Sequence, residues 1–312
     1  MNRRVIAIRS LCWTVALLGL TVGAWAQDAA PLPEGVAPAP AGEPNIPSYT
    51  YRNWTPPAAS EHAAQVDALI DFMHWFMAFI FVGWAIFFVW CLFKFRQKAG
   101  HRADPVPIKA KAAKYSEIAV AAFEAVLLLA FSIPIWAAAK NTIPQETDAT
   151  FHVRIVAQQF AWNIHYPGPD GKFGKTDPNL IDPAALNPIG LDLDDPAGDD
   201  DLVAVNDLRV PVNTPVRIDL SSMDVIHSLF FPVMRVKQDA IPGMTIPVWF
   251  TPTEVRRSEI QCAQLCGNNH SIMRGFLTVH PTEDMDHPAR TFDEWYAEQL
   301  AEKDEGFDED DF

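Results

Sequence analysis

The chain is poor in cysteine and in basic residues. Its 312 residues include only four cysteines, and 39 Asp and Glu outnumber 24 Lys and Arg, which gives a formal net charge of −15. A charge of this sign disfavours nucleic-acid partners, whose phosphates attract positively charged protein surfaces. The pattern Cys-x-x-Cys-His is also missing from the sequence, so we expect no covalently attached c-type haem in this chain.

Three apolar blocks lie within the first 140 residues, and the first has the pattern of an export signal. Basic residues open the chain, a short apolar run follows, and Ala24-Trp25-Ala26 provides a cleavage pattern. Residues 1–26 are therefore predicted to be a signal peptide, with an uncleaved first membrane helix as the alternative. Residues 27–65 are rich in Pro, Ala and Gly, and we predict an extended linker there.

The other two apolar blocks predict a transmembrane hairpin at residues 66–140. The spans at about 72–93 and 118–139 are each long enough for a helix across roughly 30 Å of hydrocarbon. Pro134 predicts a kink in the second span. The connection between the spans is rich in Lys and Arg, which places it in the cytoplasm and both ends of the mature chain in the periplasm. The expected location is therefore the bacterial inner membrane, with a multi-pass topology.

Titratable side chains lie in or beside these spans. Because a charge that faces lipid is costly, such groups usually face protein or water. Glu124 lies about two turns deeper than Glu117, so we expect it to face a partner protein in a larger membrane complex. Glu117 is compatible with an ordinary solvated acid at the cytoplasmic surface. His74 belongs to the same group of titratable residues.

Residues 141–282 have the pattern of an exported all-β domain. From about residue 151 onward, short apolar segments alternate with turns rich in Pro, Gly and Asp, which predicts a β-sandwich or barrel. We predict a long surface excursion at 167–201. Residues 283–312 are predicted to be an acidic C-terminal tail with a short helix from Thr291 to Lys303. Such a tail is either simply solvated or a docking surface for a basic partner.

Two cysteines, a histidine and a methionine crowd together in the segment QCAQLCGNNHSIM. Cys12 falls in the predicted signal and Cys91 in the first span, so Cys262 and Cys266 are the cysteines of the exported domain. An exported pair ordinarily indicates a disulfide. Zinc would accept two Cys and two His, but it has no use for the nearby methionine. Gly267, directly after the second cysteine, permits a tight turn.

The donor types in this segment favour a copper electron-transfer site. Thiolate, imidazole and a weak thioether are the ligands of such sites, and His227 in DVIHS offers a second imidazole. A mononuclear blue-copper site needs one thiolate, and this segment has two. Two cysteines can bridge two copper ions, with one His at each end. Met273 and the backbone carbonyl of Gln264 would then take the axial positions.

These motifs resemble those of subunit II of the haem-copper cytochrome c oxidases, in its bacterial form. The resemblance rests on CAQLCGNNHSIM and DVIHSLFFPVMRVKQDAIPG, and it extends from the two spans to the end of the β-domain. It implies a membrane-anchored all-β fold, in which a two-helix transmembrane hairpin precedes a cupredoxin-like β-sandwich. The implied copper ligands are His227, Cys262, Gln264 through its backbone oxygen, Cys266, His270 and Met273.

The resemblance also implies a function and partners. A dinuclear copper centre (CuA) would accept electrons from cytochrome c and pass them to a haem in subunit I. Oxygen would be reduced to water there, with coupled proton pumping, so the oxygen chemistry would reside in the partner subunit. Subunit III is a further implied partner, and the lipid bilayer surrounds the hairpin.

Some of the family's other features map less closely onto this sequence. Glu117 matches a glutamate at the mouth of a proton-input path. The tryptophan through which electrons enter corresponds to Phe160, and Trp162 lies two residues along, on the same predicted strand face. The family commonly has Glu at the position of Gln264, where the carboxylate helps to hold magnesium or manganese at the subunit boundary. An amide is a poorer ligand for such hard cations, which disfavours that metal here and leaves the question open at the level of sequence.

Other functions remain open at the level of sequence. A membrane-anchored copper-delivery protein would offer a similar Cys-x3-Cys and a distant His, although it would not require Met273. A quinol-oxidase-type subunit has the same architecture but lacks the copper ligands. A structural module stabilised by zinc or by a disulfide would use the cysteines alone.

Overall fold

The structure is a computed structural model, and part of the chain is described. The described residues are 55–101, 111–134, 136–137, 143–144, 149–182, 187–283, 285–286 and 289–306. The predicted signal peptide, most of the predicted linker and the last six residues lie outside this part of the chain.

Two long apolar helices precede the β-domain. Helix α1 spans Ala63–Lys94, and helix α2 spans Lys111–Val126 and continues as a π-helix at Leu127–Ser132. Both are long and apolar enough to cross a membrane, and their apolar windows are not buried within the chain. Helix α1 begins earlier than the predicted span. The π-helix lies just before Pro134, which lacks the N–H needed to continue a regular helix.

Ten strands in the described residues form the β-domain that follows these helices. Their bounds are β1 Phe151–Gln158, β2 Ala161–Tyr166, β3 Leu202–Val205, β4 Asp207–Pro211, β5 Val216–Ser222, β6 His227–Phe231, β7 Val236–Ala240, β8 Ile246–Phe250, β9 Arg256–Cys262 and β10 Arg274–His280. They make two five-stranded sheets, ordered β3-β2-β1-β5-β8 and β4-β10-β9-β6-β7. The pairs β1–β5 and β4–β10 are parallel, and the other pairs are antiparallel. The predicted cupredoxin-like sandwich is therefore confirmed.

Alternation along the strands explains the core. In β1, Val153 and Ile155 are fully buried and their neighbours are only partly so, and β5 repeats this with Ile218 and Leu220. Because successive strand residues point to opposite faces, one face of each sheet lies against the other. The core holds large side chains from both sheets, such as Phe231 and Phe250, whose ring centroids lie 5.2 Å apart.

The end of the predicted linker packs against the β-domain instead of extending away from it. Ala59 is fully buried, and its N–H donates to the carbonyl of Val233 at 2.9 Å. The Ser60 hydroxyl donates to the carbonyl of Met234 at 2.8 Å. The composition of this segment favours an extended chain, but small buried side chains and backbone hydrogen bonds join it to the domain.

A buried arginine connects the first turns of α1 to the domain. The Arg235 guanidinium donates to both carboxylate oxygens of Asp67, at 2.7 and 2.9 Å, and to the carbonyls of Pro56 and Pro57. The side chain of Arg235 is 7% exposed, so water competes little for these bonds. The start of the hairpin is thereby attached to the sandwich.

The described parts of the excursion, 167–182 and 187–201, pack onto the first sheet, so the prediction of a surface segment outside the core was wrong for several residues. Ile189 and Leu191 are buried, and the fully buried Asp201 carboxylate accepts from His165 Nε2 at 2.6 Å. The ring of Phe173 lies 5.0 Å from that of His165. The composition of the excursion did not predict these contacts, because most of them come from isolated apolar residues within a polar segment.

The predicted C-terminal helix is confirmed, but it is not a solvated tail. Helix α3 spans Phe292–Gly306, and its first turn has a capping box between Thr291 and Glu294. Phe292 and Trp295 are buried against the sandwich. The domain therefore extends beyond the predicted boundary at residue 282.

Candidate metal centre

Pairing between β6 and β9 brings the distant motifs together. His227 is the first residue of β6, Cys262 is the last of β9, and Leu229 is the register partner of Cys262. The imidazole of His227 therefore lies beside the loop that leaves β9. Because β9 and β10 are antiparallel neighbours, this loop returns at Met273 to the same end of the sheet, beside the last residue of β9.

The loop between β9 and β10 is shaped by a glycine and a short helix. Gly267 has a φ of 142°, and a Cβ there would lie 2.8 Å from Gln159 Nε2 and 3.0 Å from the Phe160 ring. A side chain is therefore disfavoured by both backbone conformation and space. The 3-10 helix His270–Ile272 then turns the chain back, which brings His270 and Met273 towards Cys266.

The structure places all the predicted ligands around one point. The Sγ atoms of Cys262 and Cys266 lie 3.9 Å apart, which is too long for a disulfide bond. Cys266 Sγ lies 3.6 Å from His270 Nδ1 and 3.7 Å from Met273 Sδ. Cys262 Sγ lies 3.2 Å from the carbonyl oxygen of Gln264. A ring nitrogen of His227 and both sulfurs lie within 4.8 Å of one another.

His227 provides the most direct test of whether these residues fit a metal. The residue is fully buried, and its Nε2 is hydrogen-bonded to Asp224 Oδ1 at 2.9 Å. Its Nδ1 is also buried and has no hydrogen-bond partner among the described residues. A buried polar atom without a partner costs free energy, and a metal ion beside the two thiols would satisfy it. The donor set and this free nitrogen therefore fit copper.

The two thiols differ in their electrostatics. Burial alone would raise the pKa of Cys262, but the neighbouring imidazole of His227 and hydrogen bonds with backbone groups outweigh this effect and lower that pKa. Burial raises the pKa of Cys266, and the negative charge of Cys262 raises it further. Two neighbouring thiolates therefore oppose each other unless a cation compensates their charge. A metal ion shared between the sulfurs would provide that compensation.

The two aromatic residues predicted as routes for electrons occupy different places. Phe160 lies in the turn between β1 and β2 and not in a strand, so the prediction of a shared strand face with Trp162 was wrong. The partly exposed Phe160 packs over Gly267 of the ligand loop. Trp162 is fully buried, and its ring centroid lies 6.2 Å from that of His227. Phe160 thus lies on the partly exposed side of the ligand loop, whereas Trp162 lies in the core next to the ligand candidate His227.

The predicted membrane-embedded acids do not belong to this centre. Glu117 and Glu124 lie on α2, where both are exposed. The side chain of Gln264 is also exposed, and only its backbone carbonyl points to the sulfur cluster. The role of Glu117 in a proton-input path and the contact of Glu124 with a partner protein stay predictions.

Sequence reasoning missed two residues next to the ligands. Asp224 contacts His227, and Gln159 contacts both Asp224 and the backbone of Cys266. The carboxylate three residues before His227 in DVIHS is a signal that local inspection could have found. Gln159 carries no such signal, because its partners are 65 and 107 residues away in sequence.

Comparisons with known proteins agree with this geometry. Residues 151–279 match the family described as cytochrome c oxidase subunit II, periplasmic domain. The alternative cytochrome c oxidase subunit 2 of Bradyrhizobium diazoefficiens is 35% identical over 232 residues, covering 74% of this chain and 80% of that protein. The cytochrome c oxidase subunit 2 of Thermostichus vulcanus is 28% identical over 260 residues, covering 74% and 76%.

A solved structure is also similar in part. The periplasmic domain of subunit II of cytochrome oxidase from Bradyrhizobium japonicum is 26% identical and covers 52% of this chain and 99% of that chain, with a TM-score of 0.36. The family assignment rests on the sequence matches and not on this superposition.

Proposed function

The chain belongs to the cytochrome c oxidase subunit II family, whose members are subunits of an oxidoreductase complex, and on this premise we propose that it is the electron-accepting subunit. The proposed cofactor is a dinuclear copper centre. The observation that carries this proposal is the convergence of two thiols, two imidazoles, a thioether and a carbonyl around one point. The proposed ligands are His227, Cys262, Gln264 through its carbonyl, Cys266, His270 and Met273.

When bound, such a centre would supply one-electron redox chemistry at a nearly constant geometry. The chain's own residues provide the fixed frame. Strands β6 and β9 hold His227 and Cys262 on neighbouring backbones, and the short helix after Gly267 fixes His270. Cys266 is 4% exposed and Met273 is 2% exposed, so this side of the site excludes water.

The proposed partners follow from the position of each part. Helices α1 and α2 would lie in the inner membrane against the haem-bearing subunit I, with subunit III nearby. The exposed apolar surface of these helices supports that placement. The β-domain and both mature termini would be periplasmic, where cytochrome c donates electrons. Subunit I would then carry the reduction of oxygen to water and the coupled proton pumping.

The net charge of −15 supports a basic cytochrome c as the donor. Because exposed charges are screened by salt, oxidase turnover with cytochrome c is expected to fall steeply as ionic strength rises. A flat salt response would exclude a basic soluble donor and would favour a tethered one.

Copper delivery is the alternative that the same ligands allow. The two functions differ in what leaves the protein, which is an electron in one case and a copper ion in the other. Copper-loaded chain in detergent should oxidise reduced cytochrome c within one turnover and retain its metal in the presence of a copper-binding peptide. Loss of copper to that peptide, without oxidation of the cytochrome, would overturn the proposal.

A further inference from the structure

Asp224 holds the outer edge of the candidate metal centre in a fixed position. Its Oδ1 accepts from His227 Nε2 at 2.9 Å and from the N–H of Val225 at 2.6 Å. Its Oδ2 accepts from the N–H of Gln159 at 2.7 Å. The two backbone donors come from different segments of chain, so the carboxylate is oriented independently of the imidazole that it meets.

This contact selects one form of His227. With a carboxylate at Nε2, that nitrogen carries the proton, so the lone pair is on the buried Nδ1, which has no hydrogen-bond partner among the described residues. A ring nitrogen of His227 lies within 4.8 Å of both sulfurs. A ligand imidazole needs this neutral tautomer, with its other nitrogen donating to an acceptor. Asp224 therefore prepares His227 for a metal through a contact on the opposite side of the ring.

Gln159 extends this support to the second ligand-bearing loop. Its backbone N–H bonds Asp224, and its side-chain Nε2 donates to the carbonyl of Cys266 at 2.5 Å. The same side chain lies against Gly267. One residue of the β1–β2 turn thus connects the segment that carries His227 with the loop that carries Cys266.

We propose that Asp224 and Gln159 are positioning residues for the metal centre, with Asp224 orienting His227 and setting its basicity and Gln159 fixing the distance between the two ligand-bearing segments. This inference rests on the proposed function. A carboxylate on the far side of a ligand imidazole makes it a stronger donor, which favours the more positively charged, oxidised metal. Removing the carboxylate therefore raises the reduction potential of the centre.

The test compares variants of the full chain in detergent by copper affinity, paramagnetic spectrum and redox titration. Asp224→Ala is expected to lower copper affinity by about 10- to 100-fold. If the affinity for oxidised copper falls about tenfold more than the affinity for reduced copper, the reduction potential rises by about 59 mV for a one-electron couple. Asp224→Asn keeps an oxygen acceptor of the same shape, so it should shift the affinity and potential in the same direction by less.

Gln159→Met removes the bond to Cys266 but keeps the backbone N–H that binds Asp224. We expect weaker copper binding with a smaller change in potential than Asp224→Ala produces. The matched control is Asp239→Asn, which removes an equal charge from an exposed residue of β7 that binds the Ser228 hydroxyl. This control should leave affinity and potential close to those of the unmodified chain.

The outcomes separate this inference from the proposed function. If the unmodified chain fails to take up two copper ions, both the proposed function and this inference are wrong. If it loads normally and the Asp224 variants match the unmodified chain, only the inference is wrong. Equal changes in copper affinity and reduction potential in Asp224→Asn and Asp239→Asn would also overturn the inference, since such changes would reflect the loss of a nearby charge alone. Thermal unfolding of the metal-free variants identifies misfolding, and Asp224→Asn then replaces Asp224→Ala in the comparison.

Discussion

The two ends of the β-domain are built from different kinds of contact. At the end covered by α3, Tyr166 is fully buried and Trp295 is 2% exposed, and their ring centroids lie 5.7 Å apart. At the metal end, His227 retains a buried nitrogen without a partner in the described chain, and Leu265 and Ile272 are 75% and 68% exposed. The first end, the closed end, is completed by the chain itself; at the second end, the open end, the proposed metal ion and a partner surface would complete the structure.

The closed end combines apolar and polar contacts around one indole. The guanidinium of Arg209 lies 5.0 Å from the centroid of the Trp295 ring, and the ring of His280 stacks on the same indole with a centroid distance of 6.0 Å. The hydroxyl of Tyr166 accepts from the N–H of Arg209 at 2.8 Å. Such contacts stabilise the fold, whereas the open end holds the candidate metal ligands. Substitutions at the two ends should therefore separate stability from metal binding.

The largest expected effect is at the open end. Cys266→Ser should abolish dinuclear copper binding, because a hydroxyl cannot bridge two copper ions as a thiolate does. The metal-free fold should persist, since the substitution changes little volume. Copper content and the visible spectrum of the full chain measure this. Cys91→Ser, in α1, is the control and should bind copper normally; a normal copper content in Cys266→Ser would contradict the bridging role.

The next effect is at the closed end. Trp295→Ala removes a buried indole and should lower the free energy of unfolding by about 3–5 kcal/mol. The copper spectrum should stay unchanged well below the unfolding temperature, because the indole belongs to the opposite end. Chemical denaturation and the visible spectrum provide the two readouts. Ala297→Ser, at an exposed position of the same helix, should change neither. A spectral change in Trp295→Ala would show that the two ends are coupled.

A smaller effect is expected where the hairpin joins the domain, which belongs to neither end. Arg235→Met removes the charged hydrogen bonds to Asp67 and should cost about 1.5–3 kcal/mol of stability. Proteolysis near residues 55–67 should become faster, because that segment loses an attachment. Lys237→Met, an exposed position on β7, serves as the control. Unchanged proteolysis in Arg235→Met would mean that Ala59 and Ser60 suffice to hold the segment.

The smallest effect concerns pH and the outer face of the first sheet. The hydrogen bond from His152 to Asp219 lowers the pKa of this carboxyl below its usual value, against the opposing effect of burial. Its contribution to stability is thus complete above about pH 4 and is lost as pH falls through the lowered pKa. Asp219→Asn should remove this part of the acid sensitivity, by about 1 kcal/mol or less. An identical acid-unfolding curve for Asp219→Asn would contradict the assignment.

The sequence was sufficient where the signal is local. The spacing of Cys262, Cys266, His270 and Met273 within one loop predicted that these side chains cluster, and strand alternation predicted the sandwich. The sequence was insufficient where contacts span long separations. Ala59 meets Val233, and Gln159 meets Cys266, through packing that no local pattern encodes. The contacts of residues 167–182 and 187–201 with the first sheet and the docking of α3 were missed for the same reason.

The most direct test of the central claim is the copper stoichiometry of the purified full chain together with its paramagnetic spectrum. The account predicts two copper ions per chain in the loaded protein and hyperfine splitting from two equivalent copper nuclei that share one unpaired electron. A single copper ion with splitting from one nucleus, a bound zinc ion, or a disulfide between Cys262 and Cys266 in reduced, metal-replete protein would contradict it.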